Sequence, residues 1–297
     1  MTGYAANWMA SMLSRRLPLA FSYWLGQRVA DVYYMTDPAG RQGVASNLRR
    51  ILAYRGVHPP GGDVRSLVRK TYQQFGKYIV DFYRYSRSSY AELEPRIGFE
   101  RRDYFDAVAG KGKPAILVTG HIGNWEMGGL VLGCLGRPVT AVYRPTGVPH
   151  VDRLWRYHRL RRGIHLLSLG SAVGGLLRAL ANGQLVSLLV DRDFTHRGRP
   201  IRFFGAEVPM PVGAAVLSLR TGAPILPAFL IRQIDDRFLL RFYEPVEPSA
   251  AGGVGDIQQR VVAALEDVIG EVPVQWFVFR DFWGSVEAGP PRQGDGA

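Results

Sequence analysis

The stretch PAILVTGHIGNWEMGGL, residues 114–130, decides how this chain reads. Residues 114–119 are an apolar run of strand length, the glycines at 120 and 123 open a turn, and Asn124 stands where a helix over 124–135 would be capped. The turn carries His121, and Glu126 follows five residues later. In one continuous helix that spacing separates two side chains by about 140° around the axis, so they would not share a face. They can meet if His121 lies in the loop leaving the strand and Glu126 in the first helical turn. In open α/β sheets, ligands gather at the carboxyl ends of strands, where this places His121. A neutral imidazole there can take a proton from an incoming hydroxyl, while a carboxylate on its other nitrogen fixes the tautomer. The same spacing also suits a structural His–Glu hydrogen bond.

Working outward, the chain after residue 114 alternates short apolar strands with helices. Strands are expected at 138–143, 164–168, 184–190, 224–231 and 237–243, and helices at 150–162, 171–182, 211–221 and 256–269. Continuous apolar runs such as AILV and LVSLLV suggest strands covered on both faces, and the alternation suggests βαβ crossovers around a mainly parallel sheet. The last two strands flank an Asp-Asp turn and read as an antiparallel hairpin. Before 110 the chain reads as helical, near 5–35, 40–55 and 63–86, the second ending at Gly56 and the third with Asp63 as an N-cap candidate. The expected organisation is an N-terminal helical region, 1–110, packed on the same core as an α/β unit over 111–285, with a Gly- and Pro-rich tail over 286–297 that reads as disordered.

Composition narrows the partners. Of 297 residues, 47% are hydrophobic, ample for a core, and 37 basic against 25 acidic side chains give a formal charge of +12. That surplus suits anionic lipid, phosphorylated substrates, an acidic carrier protein or nucleic acid. No nucleic-acid recognition motif is present, and a basic nucleic-acid-binding protein would leave the strand-end histidine idle. The single cysteine, Cys134, excludes an internal disulfide and sits in apolar surroundings that suit burial. No run of about 20 apolar residues reads as a membrane span. LPLAFSYWLG, residues 17–26, instead suits an interfacial helix with Phe21, Tyr23 and Trp24, or a helix packed on the core. The other histidines lack zinc spacing, and no P-loop lysine or Gly-x-Gly-x-x-Gly follows the first strand, which argues against metal and nucleotide chemistry.

Two further blocks draw attention. RPTGVPHVDRLWRYHRLRRG, residues 144–163, sets Arg144, Arg153, Arg156, Arg159, Arg161 and Arg162 against Asp152. Arginine offers a planar, bidentate donor set for phosphate. Arg144, at the end of the strand over 138–143, is favoured as a ligand of a substrate or carrier phosphate, with Arg159 and Arg162 as further candidates. DRDFTHRGRPIRFFG, residues 191–205, closes another buried strand with Asp191, Arg192 and Asp193. A carboxylate there can orient an arginine or a sugar hydroxyl, or hold the loop by an internal ion pair. Phe203 and Phe204 suit an acyl-chain wall, or one ring in the core and one against a helix.

Together TGHIGNWEMGG, VYRP at 142–145 and the DRD…FFG block resemble, in that order, the bacterial late acyltransferases of lipid A biosynthesis and their relatives that acylate phosphatidylinositol mannosides. The resemblance runs over roughly residues 15–283. It implies an αβα sandwich of the glycerolphosphate-acyltransferase type and transfer of a fatty acyl group from acyl carrier protein or coenzyme A to a hydroxyl of a membrane glycolipid, with a lipid A precursor first among acceptors. It further implies His121 and Glu126 as the catalytic pair, no metal or bound cofactor, and action at the cytoplasmic face of the bacterial inner membrane. An esterase that uses the same pair to activate water is the rival enzyme reading.

Overall fold

The computed structural model describes residues 12, 14–58, 62–85, 88–110, 112–143, 149–160, 164–168, 170, 172–193, 197–249 and 252–284. Arg144, Arg162, the Cys134 side chain, the start of the first expected helix and the tail over 286–297 lie outside the described residues. In chain order the elements are helices α1 (Leu19–Thr36), α2 (Pro38–Tyr54), α3 (Arg65–Arg84) and α4 (Tyr90–Leu93), strand β1 (Ile97–Glu100), α5 (Arg102–Ala109), β2 (Ala115–Thr119), α6 (Trp125–Cys134) and β3 (Val139–Tyr143). There follow α7 (Pro149–Leu160), β4 (Ile164–Ser168), α8 (Ala172–Ala181), β5 (Leu185–Leu189), β6 (Arg199–Phe203), β7 (Ala206–Met210), α9 (Gly213–Thr221), β8 (Ile225–Arg232), β9 (Phe238–Phe242) and α10 (Gly253–Glu271).

Seven strands form one sheet in the order β1-β9-β8-β2-β5-β3-β4. From β8 to β4 every neighbouring pair is parallel, while β9 runs antiparallel to β8 as the second arm of the expected hairpin, and β1 lies parallel to β9. The central strands are mostly apolar on both faces because each face meets helices. Ile116 and Val118 of β2 point into a cluster with Leu176 and Leu180 of α8, Ala214 and Ala215 of α9, and Val261 and Leu265 of α10. Ala115 and Leu117 point the other way, to Phe105 of α5 and Met127, Leu130 and Val131 of α6. The α/β sandwich with a mainly parallel sheet and N-terminal helices is therefore present as expected. Helices α1 to α3 bury a third cluster around Val44, Leu48, Val68 and Tyr72.

Three details differ from the sequence reading. The stretch before 110 is not helical throughout, since Ile97–Glu100 is an edge strand paired with β9 far along the chain. Four residues carry too little periodicity to announce a strand. The second correction is β6–β7, a separate antiparallel hairpin turning at Phe204 (φ 47°) and Gly205 (φ 77°). A bulky residue in the left-handed region is costly. Phe204 is held there because its ring is buried against Tyr54, Phe203 and Trp283 and its amide donates to Glu266. The third concerns the start of α3: Val64 occupies the cap position, and Asp63 instead accepts from the Arg65 amide at 2.9 Å.

Candidate active site

β2 and β5 are parallel neighbours in a register that pairs Thr119 with Leu189. Two residues beyond each strand end, the chain places His121 beside Asp191. His121 Nδ1 lies 2.8 Å from Asp191 Oδ1, and the His121 backbone N–H donates to Asp191 Oδ2 at 2.7 Å. Trp276 Nε1 also donates to Oδ2, at 3.0 Å. Asp191 is fully buried and His121 is 18% exposed, so the pair has a sealed end and an open one. Burial alone would raise the Asp191 carboxyl. The His121 charge and hydrogen bonds and the Trp276 donor outweigh it and hold Asp191 below the usual carboxylate range. An ionised carboxylate only accepts, so Nδ1 carries a proton, and in the neutral ring the lone pair is then on Nε2.

The approach is close enough to dictate a residue type. A Cβ on Gly120 would lie 3.1 Å from Asp191 Oδ2 and 2.8 Å from Leu265 Cδ1, so a side chain there would push the carboxylate or α10 aside. Gly123, at φ 59°, would put a Cβ 2.1 Å from the Leu230 carbonyl oxygen. The turn is thus pressed onto β8 and onto the segment after α10. Gly123 N donates to Gln275 O at 3.0 Å, Asn124 N to Leu230 O at 2.8 Å, and Phe277 N to His121 O at 2.8 Å. The amides of His121, Gly123 and Asn124 are all engaged within the fold, so these three are not free to serve as oxyanion donors.

Asn124 caps α6 as its side-chain chemistry suggests, accepting from Met127 N at 3.1 Å. Glu126 therefore sits in the first turn of α6, where the helix dipole favours a carboxylate. It pairs with Arg159 of α7, whose Nε reaches the two carboxylate oxygens at 3.0 and 3.2 Å while Nη2 bonds Oε1. Burial would lower the Arg159 guanidinium, and the Glu126 charge raises it above its ordinary range. Two residues named separately from sequence are thus one fork-shaped ion pair. The His121 ring bonds Asp191, not Glu126.

Phe203 and Phe204 are buried in an aromatic cluster with Trp276, Phe282 and Trp283, which places them in the core behind the site, not on an open wall. Trp276 joins that cluster to the Asp191 carboxylate. Arg192 and Asp193 are half-buried, and Asp193 accepts from Gly198 N at 2.7 Å, closing the loop towards β6. The His121 ring also meets the Trp125 ring edge-on at 5.2 Å, and Trp125 stacks on Tyr78 at 4.4 Å. Trp276 and Tyr78 carried no signal in sequence, because each reaches the site from an element remote along the chain.

The family described as bacterial lipid A biosynthesis acyltransferase matches residues 1–285. A phosphatidylinositol mannoside acyltransferase of Mycolicibacterium smegmatis is 27% identical over 288 residues, spanning 95% of this chain and 90% of that protein. Its namesake in Mycobacterium tuberculosis is 27% identical over 289 residues, with 94% and 87% covered. A lipid A biosynthesis acyltransferase of Haemophilus influenzae is 26% identical over 138 residues, 46% of this chain and 43% of that one.

Proposed function

Because the chain belongs to the bacterial lipid A biosynthesis acyltransferase family, and so is an acyltransferase, we propose that it moves a fatty acyl group from a thioester to a sugar hydroxyl of a membrane phosphoglycolipid, with His121 as general base. The observation that carries this reading is the His121–Asp191 pair, which leaves Nε2 able to accept a proton on the open side. The acceptor O–H gives its proton to Nε2 as its oxygen attacks the thioester carbonyl. The tetrahedral intermediate then expels the thiolate, and the imidazolium returns the proton to sulfur. Asp191 stabilises the imidazolium in between, and Glu126 acts through Arg159, holding a cation at the edge of the site. Acyl carrier protein and coenzyme A are both acidic donors that suit the formal +12.

The phosphatidylinositol mannoside enzymes match along 94–95% of this chain and the Haemophilus influenzae enzyme along 46%, which favours a mannoside acceptor. The family description supports a lipid A precursor as the second reading. Incubating the purified protein with an acyl thioester and each acceptor in turn, with products weighed by mass spectrometry, distinguishes them. The mannoside is expected to gain one acyl mass. Release of free fatty acid with no acceptor consumed would overturn acyl transfer in favour of hydrolysis.

No helix among the described residues is long and apolar enough to cross a membrane. Helix α1 instead exposes Phe21 (48%), Trp24 (52%), Val32 and Met35 at helical spacing around Arg28. This stripe suits the interface of an anionic bilayer at the cytoplasmic face, where both thioester donors occur. Sedimentation with anionic vesicles is expected to weaken as salt rises, and Phe21→Ser with Trp24→Ser to weaken it by about tenfold or more. Binding to neutral vesicles that ignores both changes would exclude this face.

A further inference from the structure

One buried charge lies outside the machinery described so far. Asp81 of α3 is 1% exposed, and three donors meet its carboxylate. Tyr23 of α1 donates to Oδ1 at 2.6 Å, Asn124 Nδ2 to Oδ2 at 3.1 Å, and Arg232 at the end of β8 bonds Oδ2 through Nη2. Arg232 is held in turn by the Tyr23 hydroxyl at 3.0 Å and by Asp236 at 3.4 Å, and Lys77 closes the outer side on Asp236 at 2.8 Å. The Arg232 guanidinium also lies over the Tyr23 and Phe238 rings, 4.9 and 4.8 Å from their centroids. A buried ion pair of this kind is a poor source of stability compared with an apolar replacement, so its placement calls for a reason other than packing.

Asn124 supplies that reason. It stands between His121 and Glu126, and three anchors fix it: its amide on the Leu230 carbonyl, its Oδ1 on the first turn of α6, and its Nδ2 on Asp81. The last of these is the one that needs the N-terminal helices. We propose that Asp81 is a positioning residue for the catalytic turn: through Asn124 it sets the spacing of His121 from the start of α6, and Tyr23 and Arg232 hold it in place. Helix α1, which carries the exposed aromatic stripe, is then part of the same unit as the base. The proposal rests on the reading of His121 as that base.

The test is a cycle around Asn124. Asn124→Asp keeps an oxygen to cap α6, since the two residues cap about equally well, but removes the donor to Asp81. Tyr23→Phe removes one hydroxyl from Asp81 and keeps the ring, so it serves if Asp81→Asn fails to fold with Arg232 left unpaired. In acyl-transfer assays of folded protein, Asn124→Asp is expected to lower kcat about ten- to hundredfold with KM within about twofold, because a misplacement near 1 Å has effects of that order. Tyr23→Phe is expected to lower kcat severalfold. The double variant Asp81→Asn, Asn124→Asp, which restores a donor–acceptor pair, should recover part of what Asn124→Asp loses. Hydrogen exchange of the Met127 and Gly128 amides, both bonded to Asn124, should quicken in Tyr23→Phe while α10 amides do not change. That measurement needs no activity, so an inactive unaltered protein would sink the acyltransferase mechanism and leave the positioning test readable. Unchanged kcat and unchanged exchange in folded Asn124→Asp and Tyr23→Phe overturn the proposal, as does a loss that merely tracks the folded fraction.

Discussion

Replacing His121 with alanine is expected to lower kcat for acyl transfer by about 10²- to 10⁴-fold, with KM within a few-fold and the fold intact. The size follows from the role: without Nε2 the acceptor hydroxyl must attack the thioester with its proton still on, while the site continues to bind both substrates. The fold should tolerate the change because the backbone anchors at 121 do not use the ring. The amide still donates to Asp191, the carbonyl still accepts from Phe277, and Asp191 keeps Trp276. Far-ultraviolet circular dichroism and the unfolding midpoint check the second half of the expectation. A folded His121→Ala protein with activity within about threefold of the unaltered one would remove the mechanism.

Much of the frame around that histidine is legible in the sequence, for a local reason. The strand at 115–119, the turn at Gly120 to Gly123, the Asn124 cap and the first helical turn with Glu126 all depend on residues within a few positions of one another. The β8–β9 hairpin is equally local. What escapes is contact between distant segments. β1 exists because Ile97–Glu100 finds the free edge of β9, some 140 residues later, and nothing in IGFE says so. Asp81 reads as one more position of an amphipathic helix until β8 brings Arg232 against it.

The same division explains the partner of His121. Spacing along the chain offers Glu126, whereas the sheet offers Asp191, and the ring bonds Asp191. The signal was available in principle. Once 114–119 and 184–190 are both read as parallel strands, residues just past their ends share one edge if the strands are neighbours. Adjacency is the missing piece, because β2 and β5 have two other strands between them in the chain and become neighbours only in the sheet. The roles then rearrange in a consistent way. Asp191 is sealed and fixed by donors, as an orienting group requires, while Glu126 is matched to the fork of Arg159.

Asp191→Asn follows as the sharper test of that arrangement. The carboxylate receives three donors, the His121 amide and Trp276 Nε1 on Oδ2 and His121 Nδ1–H on Oδ1. An asparagine has one acceptor oxygen, and facing it to the two donors on the Oδ2 side turns its NH₂ towards Nδ1. The imidazole must then accept at Nδ1 and carry its proton on Nε2, the wrong tautomer for a base. The corresponding exchange in the Ser-His-Asp triad costs about 10⁴-fold in kcat, and a loss of about 10³- to 10⁴-fold is expected here. The ¹⁵N shifts of the His121 ring should show the proton moved to Nε2. Stability supplies an independent sign. A carboxyl held below its unfolded value stabilises the fold above the ordinary carboxylate range, near pH 4, and that contribution fades as pH falls through the lower folded value. Asp191→Asn should therefore lower the urea midpoint at neutral pH and flatten its decline on acidification. A variant that keeps the Nδ1–H tautomer, nearly full activity and an unaltered acid limb would show that Asp191 neither orients His121 nor is held ionised by it.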